Sequence, residues 1–296
     1  MNRSSPATPY LFLLPALAIL TVTVFGPALQ AFYYSFTDYD LLSPPRWNDF
    51  ANFQRLWRDP VFWKALWNTV LYLACVVPLL VTLPLGLAIL VNRKLRGIHW
   101  FRLAYYAPVV ISVVVAGITW RWLYTENGLF NQLGQSLLGQ GALAQAIFPI
   151  PWLTSPKLAL FSIMAVTVWK GLGYYMVVYL AGLQAIPGDL YEAAAIDGSD
   201  GWVKHWDITL PLMRPYVLLV AVISSISAAK VFEEIYVMAP GGGPSDSTKT
   251  MVYYVYDLAF GKFEMSYACT VGLALFLLIL VPSLLRLTLG GPIGNA

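Results

Sequence analysis

The 296 residues are 58% hydrophobic and 11% charged, whereas soluble domains carry about 25% charged residues; a soluble globular reading therefore starts far behind. The net charge of +3 is too small to mark a nucleic-acid surface and reads better loop by loop, for orientation in a bilayer. Cys75 and Cys269 both lie in apolar stretches, so neither a disulfide framework nor a metal site is expected.

A helix that crosses a bilayer needs about 20 mostly apolar residues. Six stretches qualify: residues 10–36, 66–91, 103–124, 158–183, 216–238 and 267–289. The first follows a weakly basic start at Arg3. It is longer than the core of a signal peptide and no small-x-small cleavage site follows it, so it reads as a retained span. Pro15, Pro27, Pro78, Pro84 and Pro108 fall inside these stretches. Neighbouring helices can re-satisfy the carbonyls that a proline frees, so the prolines predict kinks and not breaks. Before the second stretch, Phe53, Leu56, Trp57, Val61 and Trp63 suit an amphipathic helix lying in the interface.

Between the second and third stretches, residues 92–99 hold Arg93, Lys94 and Arg96, with Arg102 just beyond and no acid among them. Positive charge in so short a loop favours the cytoplasm. An even number of crossings then puts both termini inside, with Arg3 and Arg286, and residues 187–211 inside as well. Between residues 243 and 250, Thr248 stands where a phosphate-binding loop requires its second glycine, so this chain is not expected to bind ATP or any other cofactor. His99 and His205 sit in inner loops without metal-ligand or catalytic partners, and no catalytic set is expected.

Residues 187–211 form a polar interruption that reads as two short helices joined at a turn. Pro187 ends the preceding segment, and Asp189 is placed to cap a helix through Glu192, Ala193, Ala194 and Ile196. Gly198 can adopt the left-handed backbone that stops a helix. Ser199 or Asp200 caps a second helix, expected to end before Pro211.

Charge inside the membrane is costly and faces a cavity or a partner. The fourth stretch holds Lys170, Gly171 and Tyr174. The fifth holds Ser227, Lys230, Glu233 and Glu234. Ser227, Lys230 and Glu234 are spaced to share one helix face. Together these groups suit a polar cavity for a hydroxylated solute; the alternative is that Lys170 and Lys230 pair with Glu233 or Glu234, or snorkel, and only hold the bundle.

Glu192, Ala193, Ala194, Asp197, Gly198, Ile208, Leu210 and Pro211 match, at the same spacing, the Glu-Ala-Ala loop of permease subunits in binding-protein-dependent ABC importers. Ser199 replaces the family's last alanine, and His205 stands where an aromatic is usual. Asn52-Phe53, Asp59, Phe62-Trp63 and Asn68-Thr69, and the turn Gly241-Gly242-Gly243-Pro244, resemble the sugar-transporting branch. The resemblance covers essentially the whole chain. It implies an all-α, polytopic MetI-like permease fold of six transmembrane helices, in one domain, at the cell inner membrane. Implied partners are a second homologous permease, two cytoplasmic ATPase subunits that hydrolyse the ATP, an extracytoplasmic solute-binding protein and membrane lipid, with no nucleic acid. The implied solute is a sugar or related polyol. The resemblance gives Glu192, Ala193, Ala194, Asp197, Gly198 and Pro211 to ATPase coupling, with Glu192 and Asp197 holding local hydrogen bonds. It also gives Gly171 and Tyr174 to the sugar path. The rival is a transporter or channel working without ATPases.

Overall fold

A computed structural model describes residues 8–93, 95–139, 141 and 146–289, the positions 8, 9 and 281–289 as backbone only. Arg3, Lys94 and the side chain of Arg286, used above for orientation, lie outside the described residues. Helix α1 (Thr8–Leu20) passes through a π-turn at Thr21–Phe25 into α2 (Gly26–Tyr34). An antiparallel ribbon pairs β1 (Thr37–Asp38) with β2 (Arg46–Trp47), Thr37 opposite Trp47. Then come α3 (Ala51–Arg58), α4 (Pro60–Val91), α5 (Ile98–Val110), α6 (Val113–Leu123), α7 (Leu129–Leu138) and α8 (Ala159–Ala185). The chain continues through α9 (Gly188–Ile196), α10 (Leu210–Ala229), α11 (Glu233–Met238), α12 (Met251–Tyr256) and α13 (Met265–Leu289).

The helices fall into two units, one comprising the chain up to Phe62 and from Tyr254 on, the other Trp63–Tyr253. In the first unit the apolar stretch Tyr10–Tyr34 has no buried residue in its most apolar window, and Leu11, Phe12 and Val22 are open on the outside. A helix that is apolar all round needs lipid or another helix against it. The ribbon and α3 are fastened to α13 by polar contacts. Asn52 Nδ2 donates to the Ser35 and Thr37 carbonyls (3.1 and 2.8 Å), and the hydroxyls of Thr37 and Ser266 lie 3.2 Å apart. The Asp59 carboxylate accepts the hydroxyls of Tyr254 and Tyr267 at 2.5 and 2.6 Å. Burial pushes the Asp59 carboxyl up, but these bonds and the Val61 amide outweigh it and hold it below the usual carboxylate range. The segment expected to lie in the interface is therefore partly committed to this unit: Asn52 is buried, while Trp57 on the other face stays exposed.

In the second unit, Tyr72, Val76 and Leu80 of α4, Ile163, Met176 and Tyr179 of α8, Met213 and Val220 of α10 and Ile235 of α11 make one apolar core. The helix α4 runs 32 residues without interruption through Pro78 and Pro84, as expected of prolines inside an apolar bundle. Gly173 lets α5 touch α8: a Cβ there would sit 2.2 Å from the Tyr105 carbonyl oxygen.

Two stretches depart from expectation. The third is not kinked but broken, α5 and α6 meeting at 97° across extended Ile111 and Ser112. Pro108 lies in the last turn of α5, where it cannot donate. The carbonyls beside it find a partner outside the helix, so the chain has no need to close the ladder. The fifth begins early, with helix already at Val203, and its long helix ends at Ala229 instead of 238. Residues 230–232 separate it from α11, whose Phe232 start is non-helical (φ −143°). The Val231 carbonyl at that break accepts the Thr250 hydroxyl at 3.2 Å. Ser227, Lys230 and Glu234 therefore do not share one helix face: Ser227 is on α10, Lys230 caps its end, and Glu234 is on α11.

Candidate functional site

The chain between α8 and α10 folds from its own sequence. Ile186 and Pro187 are extended, which stops α8 and starts α9 at Gly188. Asp189 makes no cap; Pro187 occupies the cap position without a side-chain bond. Helix α9 ends in a Schellman turn. Gly198 takes φ +84°, its amide reaches the Ala195 carbonyl (3.3 Å) and the Ser199 amide reaches Ala194 (2.8 Å). Any residue with a Cβ is disfavoured at that φ.

The expected second short helix is instead the beginning of the next long one. Helix starts at Val203, passes through a π-turn at His205–Thr209 and continues into α10 with Pro211 inside its first turn. The π-turn accounts for this: bonding is shifted there, with the Leu210 amide on the His205 carbonyl, so the amide that Pro211 lacks is not missed. Neither Ser199 nor Asp200 caps it as expected; the Ser199 hydroxyl donates to Asp207 and the Asp200 carboxylate accepts the Gly201 amide. Thr209, which the sequence reading passed over, braces the loop: its buried hydroxyl lies 3.1 Å from the Tyr191 hydroxyl and 3.0 Å from His205 Nδ1. No local pattern marks it.

Of the residues singled out here, Ala194 is buried against the loop, while Glu192, Ala193, Asp197, Gly198 and Pro211 face out. The side chains of Glu192 and Asp197 make no hydrogen bond among the described residues, so the expectation that they hold local bonds is corrected; the backbone closes the turn unaided. Beside them stand exposed Ile196 (87%), Trp206 (71%) and Trp202 (64%).

The intramembrane charges collect round a cavity of about 470 Å³. Lys170, Gly171 and Tyr174 of α8 line one side, and Ser227, Lys230 and Glu234 the other. The breakdown of the fifth helix thus brings together groups that one straight helix face was expected to present. Tyr72 and Thr167 add a hydroxyl pair 2.6 Å apart in the wall. Lys170 is already engaged: Nζ donates to the Ile111 carbonyl at 2.7 Å, with those of Pro108 and Val109 at 3.4 Å. Gly171 also serves packing, since a Cβ would meet Leu80 at 2.8 Å. No ion pair joins Lys170 or Lys230 to Glu233 or Glu234 among the described residues, and these four are not held as bundle-clamping pairs. Tyr174 remains 43% exposed, its ring edge-on to Tyr175. A concave wall of aromatic rings, hydroxyls and uncommitted charge can stack on and hydrogen-bond a hydroxylated molecule. No group of three or more metal ligands occurs among the described residues.

Residues 58–289 match the family described as binding-protein-dependent transport system inner membrane component. The chain is 36% identical over 290 residues to the lactose transport system permease protein LacF of Rhizobium radiobacter, covering 97% of this chain and 95% of that one. It is 34% identical over 289 residues to the arabinooligosaccharides transport system permease protein AraP of Bacillus subtilis, covering 97% and 90%. Its fold superposes with a TM-score of 0.81, at 23% identity and over 97% of this chain and 96% of the other, on a chain from a bacterial ABC transporter that imports the acidic polysaccharide alginate.

Proposed function

Because the chain belongs to the family of inner membrane components of binding-protein-dependent transport systems, we propose that it is the permease half of an ATP-driven importer for a sugar or related polyol. It crosses the inner membrane six times with both termini in the cytoplasm. A second, homologous permease completes the path, two cytoplasmic ATPase subunits drive it, and an external binding protein delivers the solute. Relatives named for lactose and arabinooligosaccharide transport support the solute class.

The observation that carries the reading is the Schellman-closed loop with Ile196, Trp202 and Trp206 turned outward. Helix α9 enters a groove on an ATPase subunit, a helix-in-groove contact in which Ala193 and Ala194 permit close approach. ATP-driven closure of the two ATPases draws the paired loops together and opens the path outward; hydrolysis reverses it. Glu192 and Asp197, whose side chains make no hydrogen bond among the described residues, are then groups for the ATPase and not for the loop itself. The solute passes the cavity between Lys170, Gly171, Tyr174, Ser227, Lys230 and Glu234.

Gly198→Trp tests this, because it denies the loop its left-handed residue. The importer carrying it is expected to lose its ATPase subunits on purification or to hydrolyse ATP without uptake. Normal, coupled transport in that variant would remove the loop from the mechanism.

A further inference from the structure

Against the inner end of α4 and the coupling loop lies a second cavity, of about 450 Å³. One wall is apolar, from Ile89 near the end of α4 and Leu183 near the end of α8. The other carries Arg93, Lys204 and His205, with Trp202 at 64% exposure. No carboxylate lines it among the described residues. Of the acids near it in sequence, Asp207 accepts the Ser199 hydroxyl and Asp200 the Gly201 amide, while Glu192, next to the lining residue Tyr191, is exposed and outside the lining. Arg93 and Lys204 both stand close enough to act electrostatically on the His205 ring. Lys204 makes no ion pair among the described residues.

This arrangement works against the fold. The helix beginning at Val203 directs the positive end of its dipole at the loop, and Lys204 stands at its start, with Asp207 following and engaged by the Ser199 hydroxyl. The fold tolerates the repulsion and, through Thr209, even fixes the ring with Nδ1 at 3.0 Å from a hydroxyl. Such a conflict between local preference and structure marks a functional place. An anion in the cavity would relieve it, meeting the helix N-terminus, Arg93 and Lys204 at once.

We infer that this cavity binds a phosphate group. The apolar wall formed by two membrane helices, next to a basic wall and an exposed tryptophan, suits the headgroup of an anionic phospholipid, as basic pockets between membrane helices on the cytoplasmic side do. It suits such a group better than an acidic stretch of protein, which needs no apolar wall. A free phosphate shares the chemistry. The inference rests on the cytoplasmic placing of the loop proposed above. An occupant here touches Tyr191, His205 and the base of the loop, so it bears on how firmly the loop is held.

The test uses the whole importer with its co-purified subunits, in nanodiscs of phosphatidylcholine with a minority of phosphatidylglycerol, then released into mild detergent for native mass spectrometry. Wild type is expected to retain phosphatidylglycerol through washing. Arg93→Gln with Lys204→Gln should lose it, weakening by about fivefold for each cation removed. Lys204→Arg should keep it, and so should Arg96→Gln, which lies outside the cavity. Displacement by inorganic phosphate in wild type alone would assign the site to a soluble phosphate. Equal retention and equal phosphate binding in wild type and the double variant would overturn the inference. So would loss of the ATPase from the double variant with lipid retention unchanged, which would give the cavity to an acidic segment of that partner. Labelling of an Ile196→Cys variant from outside the cell would instead sink the orientation, and is read separately.

Discussion

The third and fifth apolar stretches both come apart inside the second unit, for different reasons. The third breaks three residues after Pro108, and its freed carbonyls are gathered by the ammonium of Lys170. The fifth breaks after Lys230, with no proline or glycine between residues 228 and 234, and its Val231 carbonyl is taken by one hydroxyl, Thr250. An open helix end in an apolar bundle persists only where something else bonds its carbonyls. In the third stretch a charge does so from another helix; in the fifth a neutral group does so from the chain that follows. The consequence is the cavity, since Lys170 is held at one break and Lys230, Glu233 and Glu234 are released by the other.

If that contrast holds, the largest effect belongs to Lys170→Met. It leaves three carbonyls without their charged donor, one exposed and two part-buried at 3.4 Å, so the loss should be about 1.5–3 kcal/mol in all, the worth of a hydrogen bond to a charged group. Thermal melting of the purified importer should fall by several degrees, and Lys170→Arg should recover part of it. An unchanged melting point would mean the break stands without the lysine.

Next comes Gly173→Ala. Its new methyl has no room beside the Tyr105 carbonyl, so α5 must move away from α8, at about 1–3 kcal/mol. Uptake should fall along with stability, because α5 carries the break to which Lys170 is bonded. Stability lost without any change in uptake would separate the break from transport.

Thr250→Val removes one long, neutral bond with little change of shape and leaves the buried Val231 carbonyl without that donor, which should cost about 1 kcal/mol, less than loss of the charged donor in Lys170→Met. A larger loss than for the lysine would reverse the ranking of the two breaks.

The smallest effect is expected for Pro108→Ala. If Lys170 and not the missing amide holds the third stretch open, the amide restored and the packing lost with the buried ring should largely offset, leaving a change of about 0.5 kcal/mol or less. Cysteine cross-linking between α5 and α6 would show whether the stretch straightens. A straightened, more stable helix would make the proline the cause.

Part of the molecule was open to reading from composition and spacing. Each long helix carries its own hydrogen-bond ladder and announces itself by a run of apolar residues, as α4 and α8 do, both lying close to their expected bounds. The loop of residues 187–211 was legible because Pro187 and Gly198 act through their own backbones. Asp189 misled because α9 starts before it, at Gly188 with Pro187 in the cap position, and Pro211 because the π-turn ahead of it altered which amides needed partners.

What the sequence determined by itself was therefore local: an apolar, helical chain, the places where its helices stop at proline and glycine, and a membrane transporter's family signature. The tertiary structure decided where two of those helices open, since the donors that stabilise the open ends, Lys170 and Thr250, lie 59 and 19 residues away from the carbonyls they serve. Broken backbone inside a bundle is stable only through such distant partners, and no window of neighbouring residues contains them.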